Sequence, residues 1–274
     1  GAAVVASLWR FRPAWQGRHW LTLWGCALLA YLSHALLDSA TTYGTQLLWP
    51  FSRLRVGWDV IAIIDPLFTL ALLLGLAWSL FVGRRKPAVI AVGLGAAYVG
   101  FGFIQHQRAA AAQRALATAR GHRIERFEVM PTVGNNIVWR AIYQHDGRIV
   151  SDRIRVGWFS PASVREGWSL PLVRAADLRP TETARNTHHA FERFAWFSDE
   201  WVARSPTDVT LLADMRYSLS AEAFDPIWGI RFTPPDAAVP VAWVNRSRER
   251  QIRPAELWQE IVGRDPRFKP LPQS

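Results

Sequence analysis

The chain has a single cysteine, Cys26, among its 274 residues, and this excludes a framework of disulfide bonds. It also lacks a glycine-rich phosphate loop, a Gly-x-Ser-x-Gly elbow and a Cys-x-x-Cys pair. The sequence therefore carries no signature of P-loop nucleotide binding, of the serine-hydrolase elbow or of thioredoxin-like redox chemistry.

Blocks of like charge are absent as well, although the net charge is +10 and the pI is about 10.8. Residues 1–104 hold eight basic and three acidic residues, and the remainder holds 24 and 19, so each part carries +5. The arginines of the second part are interleaved with acidic residues, and no known nucleic-acid module is recognisable. We therefore expect no nucleic-acid partner.

Long apolar runs are abundant in the first part of the chain. Trp20 to Leu37 is nearly uncharged and about long enough to cross a bilayer. Val60 to Val82 is a second such run, and Pro87 to Ile104 is a third, rich in the small residues that allow close helix packing. Gly1 to Trp9 is apolar but too short to span. Because the chain also begins without Met, we expect a partial helix that starts upstream.

Basic residues in the short loops predict the orientation of these spans. Arg10, Arg12 and Arg18 precede the first full span, and the cluster 84–86 follows the second. Two spans separate the clusters, so both lie on the same side, which the positive-inside rule makes cytoplasmic. The loop 39–59 and everything after Ile104 are then expected on the outer side.

A histidine and a carboxylate close the first span. His34 and Asp38 are four residues apart, so on a helix they share one face. A neutral imidazole beside a carboxylate is a common half-site for a transition metal, and ionisable groups at membrane depth are costly. The structural alternatives are a buried histidine that bonds a backbone carbonyl and an aspartate that simply ends the helix.

Asp65 interrupts the second span at a similar depth. With Pro66 it could mark a kink whose carboxylate bonds Arg53, Arg55 or a loop amide. It could equally be a third ligand, or a group that supports His34. His188 and His189 are expected at the surface, and His106, His122 and His145 are expected to be solvated in linkers or turns.

The second part of the chain predicts an α+β domain with a mostly antiparallel sheet. The Ala-rich linker 105–120 reads as a helix that continues out of the third span and ends at Gly121. Asp146-Gly147 is a short-hairpin signal. Strand character occurs in Arg123–Met130, Ile137–Gln144, Arg148–Trp158, Val209–Leu219, Ile227–Phe232 and Val241–Val244.

Two further helices are predicted there, Thr181–Phe197 with Thr181 as N-cap and Pro254–Val262, followed by a loose tail from Gly263. The predicted organisation is a transmembrane helical domain over 1–104, with three full spans and a partial N-terminal helix. A helical linker over 105–121 and the α+β domain over 122–274 follow it.

Residues 33–69 resemble the YdjM-like family. The motifs that carry the resemblance are Ser33-His34-x-x-Leu37-Asp38-x-x-Thr41-Thr42-Tyr43-Gly44, Leu47-Leu48-Trp49-Pro50-Phe51-Ser52, Asp59, and Ile63-Ile64-Asp65-Pro66-Leu67-Phe68-Thr69. Members of this family are assigned as LexA-binding, inner-membrane-associated, metal-dependent hydrolases. The resemblance implies a multi-pass protein of the bacterial inner membrane, and with the orientation above a periplasmic C-terminal domain.

The resemblance also implies a divalent metal, with zinc the expected ion, and His34 and Asp38 as its ligands. The family pattern includes an upstream Pro-Asp-x-Asp and a Thr-His-Ser element. Neither occurs here, so the chain resembles an N-terminally truncated member.

Metal-assisted hydrolysis is the activity expected from this resemblance, with Asp65 as a catalytic group. A bound ion lowers the pKa of its water and polarises a carbonyl or phosphoryl oxygen. A site at the outer membrane face, and a remote likeness to zinc-dependent phospholipases C, favour a lipid or envelope phosphoester as substrate. The alternative is a non-catalytic membrane scaffold or regulator whose soluble domain binds a protein partner.

Overall fold

The computed structural model describes residues 20–182, 184–218, 225–233, 239–249 and 253–272. Within them the chain forms two compact units. The first comprises the chain up to Ile104 together with the turn Val133–Asn136. The second comprises Gln105–Thr132 and the chain from Ile137 onward.

The described part of the first unit contains three helices: α1 (Trp20–Ser39), α2 (Pro66–Val82) and the first half of α3 (Lys86–Ala119). The helices α1 and α3 are long and apolar enough to cross a membrane, whereas α2 has only 17 residues. Their surfaces expose leucines and other large apolar side chains along their length, as a helix facing lipid does.

Three full spans are not shown, because within the second predicted span, Val60–Val82, the helix begins only at Pro66 and has 17 residues. Residues 60–62 are buried in irregular backbone instead. The fixed φ of proline suits the first helical position and removes a donor that a helix cannot satisfy there. The predicted partial helix Gly1–Trp9 lies outside the described residues.

Glycines permit close backbone contact at two positions, one between α2 and α3 and one between α3 and the loop before α2. A Cβ on Gly75 would lie 2.2 Å from the Cβ of Ala91. A Cβ on Gly102 would lie 2.4 Å from the carbonyl oxygen of Val60. The small residues of α2 and α3 therefore permit a backbone approach that any side chain would block.

The described part of the second unit contains nine strands. They are β1 (Arg126–Pro131), β2 (Val138–His145), β3 (Arg148–Val156), β4 (Ala162–Pro171), β5 (Val202–Arg204), β6 (Leu211–Asp214), β7 (Trp228–Phe232), β8 (Val241–Asn245) and β9 (Lys269–Pro270). One sheet has the order β1-β2-β3-β4-β9 and the other β5-β6-β7-β8, and every neighbouring pair is antiparallel. A helical N-terminal region followed by an antiparallel α+β part is confirmed, with two sheets in place of one.

Helix α3 lies on one face of the first sheet, where Ala109 and Leu116 pack against Trp139 and Ile154. On the other face, Ile142 belongs to the cluster that contains Trp201 and Met215. Asp146 and Gly147 join β2 to β3 with φ values of 46° and 66°. Two successive positive φ values are what a two-residue hairpin turn requires, and the predicted hairpin forms.

The last two helices are α4 (Arg185–Phe197) and α5 (Pro254–Val262). The prediction that a helix begins at Thr181 is wrong, because residues 180–182 form a separate 3-10 turn. Helix α4 packs Phe191 and Phe194 onto Ile230 of the second sheet.

The tail after Gly263, predicted to be loose, pairs with β4 through β9. Charged groups hold it there. Arg155 donates to the backbone oxygens of Glu260 and Ile261, and Arg165 lies 3.5 Å from the carboxylate of Asp265. Strands β4, β5 and β9 were not predicted, since their short or polar sequences carry no alternating apolar pattern.

Candidate functional site

The end of α1 positions His34 and Asp38. The helix ends at Ser39, where the Thr41 amide and hydroxyl both donate to the backbone oxygen of Asp38 at 3.0 and 2.7 Å. His34 Nδ1 lies 3.4 Å from Asp38 Oδ2, as the i, i+4 spacing predicts. The two side chains are 73% and 50% exposed among the described residues.

The loop after α1 folds back onto the end of that helix. Thr45 and Val56 exchange two backbone hydrogen bonds of 2.8 and 2.9 Å, which close the loop. The amide of Val60 then donates to the backbone oxygen of Ala40 at 3.0 Å. The chain therefore returns to the C-terminal end of α1, and the segment 60–65 lies near Asp38.

Asp65 is the N-cap of α2, so the proposed kink inside a longer span is wrong. Its Oδ1 accepts a hydrogen bond from the Phe68 amide at 3.1 Å, as an N-cap carboxylate does. Its Oδ2 accepts one from the hydroxyl of Tyr98, on α3, at 2.7 Å. With both oxygens engaged and only 3% of the residue exposed, the carboxylate is fixed in place.

Asp38 and Asp65 line one cavity of about 330 Å³ in the first unit. Threonine side chains give it a polar wall and aliphatic and aromatic side chains an apolar one. His34 is not among its lining residues and reaches the cavity only through its contact with Asp38. The lining also includes Leu37, Thr41, Thr45, Ile61, Phe68 and Thr69.

The donor groups fit part of a metal site. An imidazole beside a carboxylate suits zinc, and a second carboxylate lines the adjoining cavity. Across the described ranges, no cluster of three histidine, cysteine, aspartate or glutamate side chains is close enough to hold an ion. His34 and Asp38 are thus two candidate ligands, fewer than a zinc site needs.

Tyr98 is a residue of this site that the sequence interpretation missed. It is the sole hydroxyl in the otherwise apolar run Pro87–Ile104, and this isolation is the signal that could have identified it. A phenol in an apolar segment needs a hydrogen-bond partner. Here the partner is Asp65.

Three histidines of the second unit are packed rather than solvated. The rings of His122 and His145 stack with centroids 4.2 Å apart, and His122 Nδ1 lies 2.8 Å from the Tyr143 hydroxyl. Burial, the His145 ring and the Arg120 guanidinium lower the pKa of His122. His106 stands edge-on to a tryptophan of β2, and burial lowers its pKa as well.

Residues 1–109 match the family model described as YdjM inner membrane protein. No curated protein and no solved structure matches the chain. The matched segment includes every residue that lines the cavity, while the two-sheet unit lies almost wholly outside it. The match and the exposed apolar helices together support a membrane location.

Proposed function

From the YdjM inner membrane protein match over residues 1–109, we propose that this protein is a metal-dependent hydrolase of the bacterial inner membrane. The observation that carries the proposal is the cavity shared by Asp38 and Asp65. These carboxylates come from the end of one helix and the start of another, and the loop between them closes the space. Paired carboxylates at membrane depth are costly to maintain, which favours a functional role.

In this proposal His34 and Asp38 hold a divalent ion, zinc by the chemistry of the donors. The ion would supply a water of lowered pKa and polarise the oxygen under attack. Asp65 is the catalytic group of this chain. Because the Phe68 amide and the Tyr98 hydroxyl orient its carboxylate, it is placed to position the water and accept its proton.

The lining of the cavity favours an amphiphilic phosphoester as substrate. Hydroxyl groups from Thr41, Thr45 and Thr69 can donate to phosphoryl oxygens, while Leu37 and Phe68 suit the apolar part of a lipid. A lipid or a lipid-linked envelope component combines both properties. The bilayer is then the environment of the protein and also the source of its substrate.

Metal content and phosphoester release test this proposal together. The experiment uses the full chain in detergent. We expect about one zinc per chain and release of soluble phosphate ester from phospholipid micelles. His34→Ala and Asp38→Asn should abolish both, whereas the exposed control His189→Ala should change neither. Absence of stoichiometric metal in the folded wild-type protein would overturn the proposal.

Orientation is a second element of the proposal. The basic clusters Arg10–Arg18 and Arg84–Lys86 favour a cytoplasmic location of the loops that carry them. In this proposal the cavity and the chain after Ile104 are then periplasmic. A reporter active only in the cytoplasm, fused after Arg120, should give no signal. A strong signal would move the site to the cytoplasmic face.

A non-catalytic membrane scaffold that binds a protein partner is the second candidate. The observation in its favour is that both oxygens of Asp65 accept hydrogen bonds within the protein, as a purely structural carboxylate does. In that case the folded wild-type protein would carry no stoichiometric metal, and His34→Ala would leave its function unchanged.

A further inference from the structure

The loop between β3 and β4 exposes two aromatic side chains at its tip. Phe159 is fully exposed and Trp158 is 44% exposed, although both are large and apolar. Such a pair costs hydration free energy in water and is usually covered by a partner. Its place along α3 indicates which partner covers it.

Arg108 of α3 holds this loop in a fixed position. Its Nη1 donates to the backbone oxygens of Gly157 and Trp158 at 2.9 and 3.3 Å, and its Nη2 donates to that of Ser160 at 2.9 Å. One turn earlier, the amide of Gln105 donates to the backbone oxygen of Val156 at 2.8 Å. The loop is therefore fastened to α3 at residues 105–108.

These residues directly follow the apolar run of the same helix, which ends at Ile104. A helix rises about 1.5 Å per residue, so Arg108 lies roughly 6 Å beyond that end along the axis. The headgroup layer on each side of the hydrocarbon core is about that thick. The loop therefore lies at the depth of the lipid headgroups if the apolar run occupies the core.

We propose that Trp158 and Phe159 insert into the headgroup region of the membrane that α3 crosses. Tryptophan is favoured at this depth, and phenylalanine reaches the acyl boundary from it. The two aromatic side chains of the inserted loop then contact the lipid headgroups, while Arg108 holds the loop backbone. The proposal depends on the membrane location and is independent of metal binding or hydrolysis at the cavity.

The opposite end of the same strands supplies a matched control. Arg120, roughly 18 Å beyond Arg108 in the direction of α3, pairs with Asp152 at 2.7 Å, and the hairpin Asp146-Gly147 lies beyond that contact. The side chain of Asp146 is 83% exposed. A probe there is in water if α3 leaves the membrane at Ile104.

Fluorescent labels at the two ends test the proposal. Cys26→Ser removes the native thiol, and Phe159→Cys or Asp146→Cys then carries an NBD label in vesicles of phosphatidylethanolamine and phosphatidylglycerol. We expect doxyl lipids to quench the label at position 159 at least about threefold more than the label at 146, and iodide to show the reverse. Equal quenching at both positions, in proteins of unchanged thermal midpoint, would overturn the proposal. Because Phe159 is fully exposed, its replacement leaves the packing intact.

Discussion

The hydroxyl of Tyr98 donates a 2.7 Å hydrogen bond to Oδ2 of Asp65 and so ties the middle of α3 to the residue that caps α2. The rings of Tyr98 and Phe68 lie 6.3 Å apart beside this bond. The carboxylate is thus fixed at the cavity by one backbone donor and one side-chain donor. Neither donor adjoins it in sequence, and one lies on a different helix.

Replacing Tyr98 by Phe should destabilise the first unit. The change leaves one oxygen of a buried carboxylate without its donor, which costs about 1–3 kcal/mol. The thermal midpoint in mild detergent should therefore fall. Tyr31→Phe, which removes a hydroxyl from an exposed side chain of α1, is the control and should shift it little. Equal midpoints for the two variants would show that the bond contributes nothing.

Gly102→Ala should destabilise the contact between α3 and the loop segment at Val60. The new Cβ would fall 2.4 Å from a carbonyl oxygen, so the backbone has to separate, at a cost of about 1–3 kcal/mol. Gly100→Ala, two residues earlier in the same helix, meets no atom within 4 Å. It should be neutral or stabilising by up to about 1 kcal/mol, since alanine is the better helix former. Thermal unfolding of both variants in one detergent gives the comparison.

Glu260→Ala should weaken the attachment of α5 strongly. Glu260 is buried and pairs with Arg153 at 2.8 Å and with Arg165 at 3.1 Å, so its loss leaves two poorly solvated cations. Breaking a buried pair in this way costs about 3 kcal/mol. Chemical unfolding monitored by circular dichroism measures the loss.

The control for that variant is Glu256→Ala on the same helix. Glu256 pairs with Arg253 three residues away, and both side chains are exposed. Such a pair contributes less than about 1 kcal/mol. A similar effect of both replacements would mean that the network around Glu260 is not a stabilising element.

Ionisation of Glu128 should make the second unit less stable as the pH rises from 4.5 to 7. Burial raises the pKa of its carboxyl to about 7, against the opposing effects of Arg216, the Trp201 indole and Arg126. The native state therefore holds a proton that the unfolded chain releases near pH 4.5. Stability from this group is present below that pH and is lost as the pH rises to 7.

Glu128→Gln keeps an acceptor for Trp201 but cannot ionise, so this loss should disappear. Between pH 5 and pH 8 the free energy of unfolding of the wild type should fall by on the order of 2 kcal/mol more than that of the variant. The figure allows for partial solvent screening, because the Glu128 side chain is 20% exposed. Urea unfolding at both pH values measures the difference. The exposed control Glu125→Gln should show the same dependence of unfolding free energy on pH as the wild type. The same dependence in Glu128→Gln would contradict the raised pKa of Glu128.

Local sequence signals predicted the parts of the fold that depend on neighbouring residues. Helix α5 has the predicted bounds, and Asp146-Gly147 makes the predicted hairpin. The start of α2 escaped prediction because hydropathy does not distinguish burial against protein from burial in lipid. Val60 and Ile61 are apolar because loop and helix α3 cover them.

The candidate site divides in the same way. The contact of His34 with Asp38 follows from helical spacing, whereas Asp65 was expected at a kink or as a ligand and instead caps α2. The bond from Tyr98 depends on how α3 packs, 33 positions further along the chain, and no local pattern encodes it. The ion pairs that hold the C-terminal segment escaped prediction for the same reason, since their partners lie on β3 and β4.

Helix α3 runs unbroken from Lys86 to Ala119, about 50 Å, with its only proline in the first turn. Its first half is the glycine-containing apolar run, and its second half presents alanines and Leu116 to the first sheet. The helix that carries the apolar run therefore also supplies the side chains that cover one face of the five-stranded sheet. A substitution at Ala109 or Leu116 in its second half would disturb the packing of that sheet.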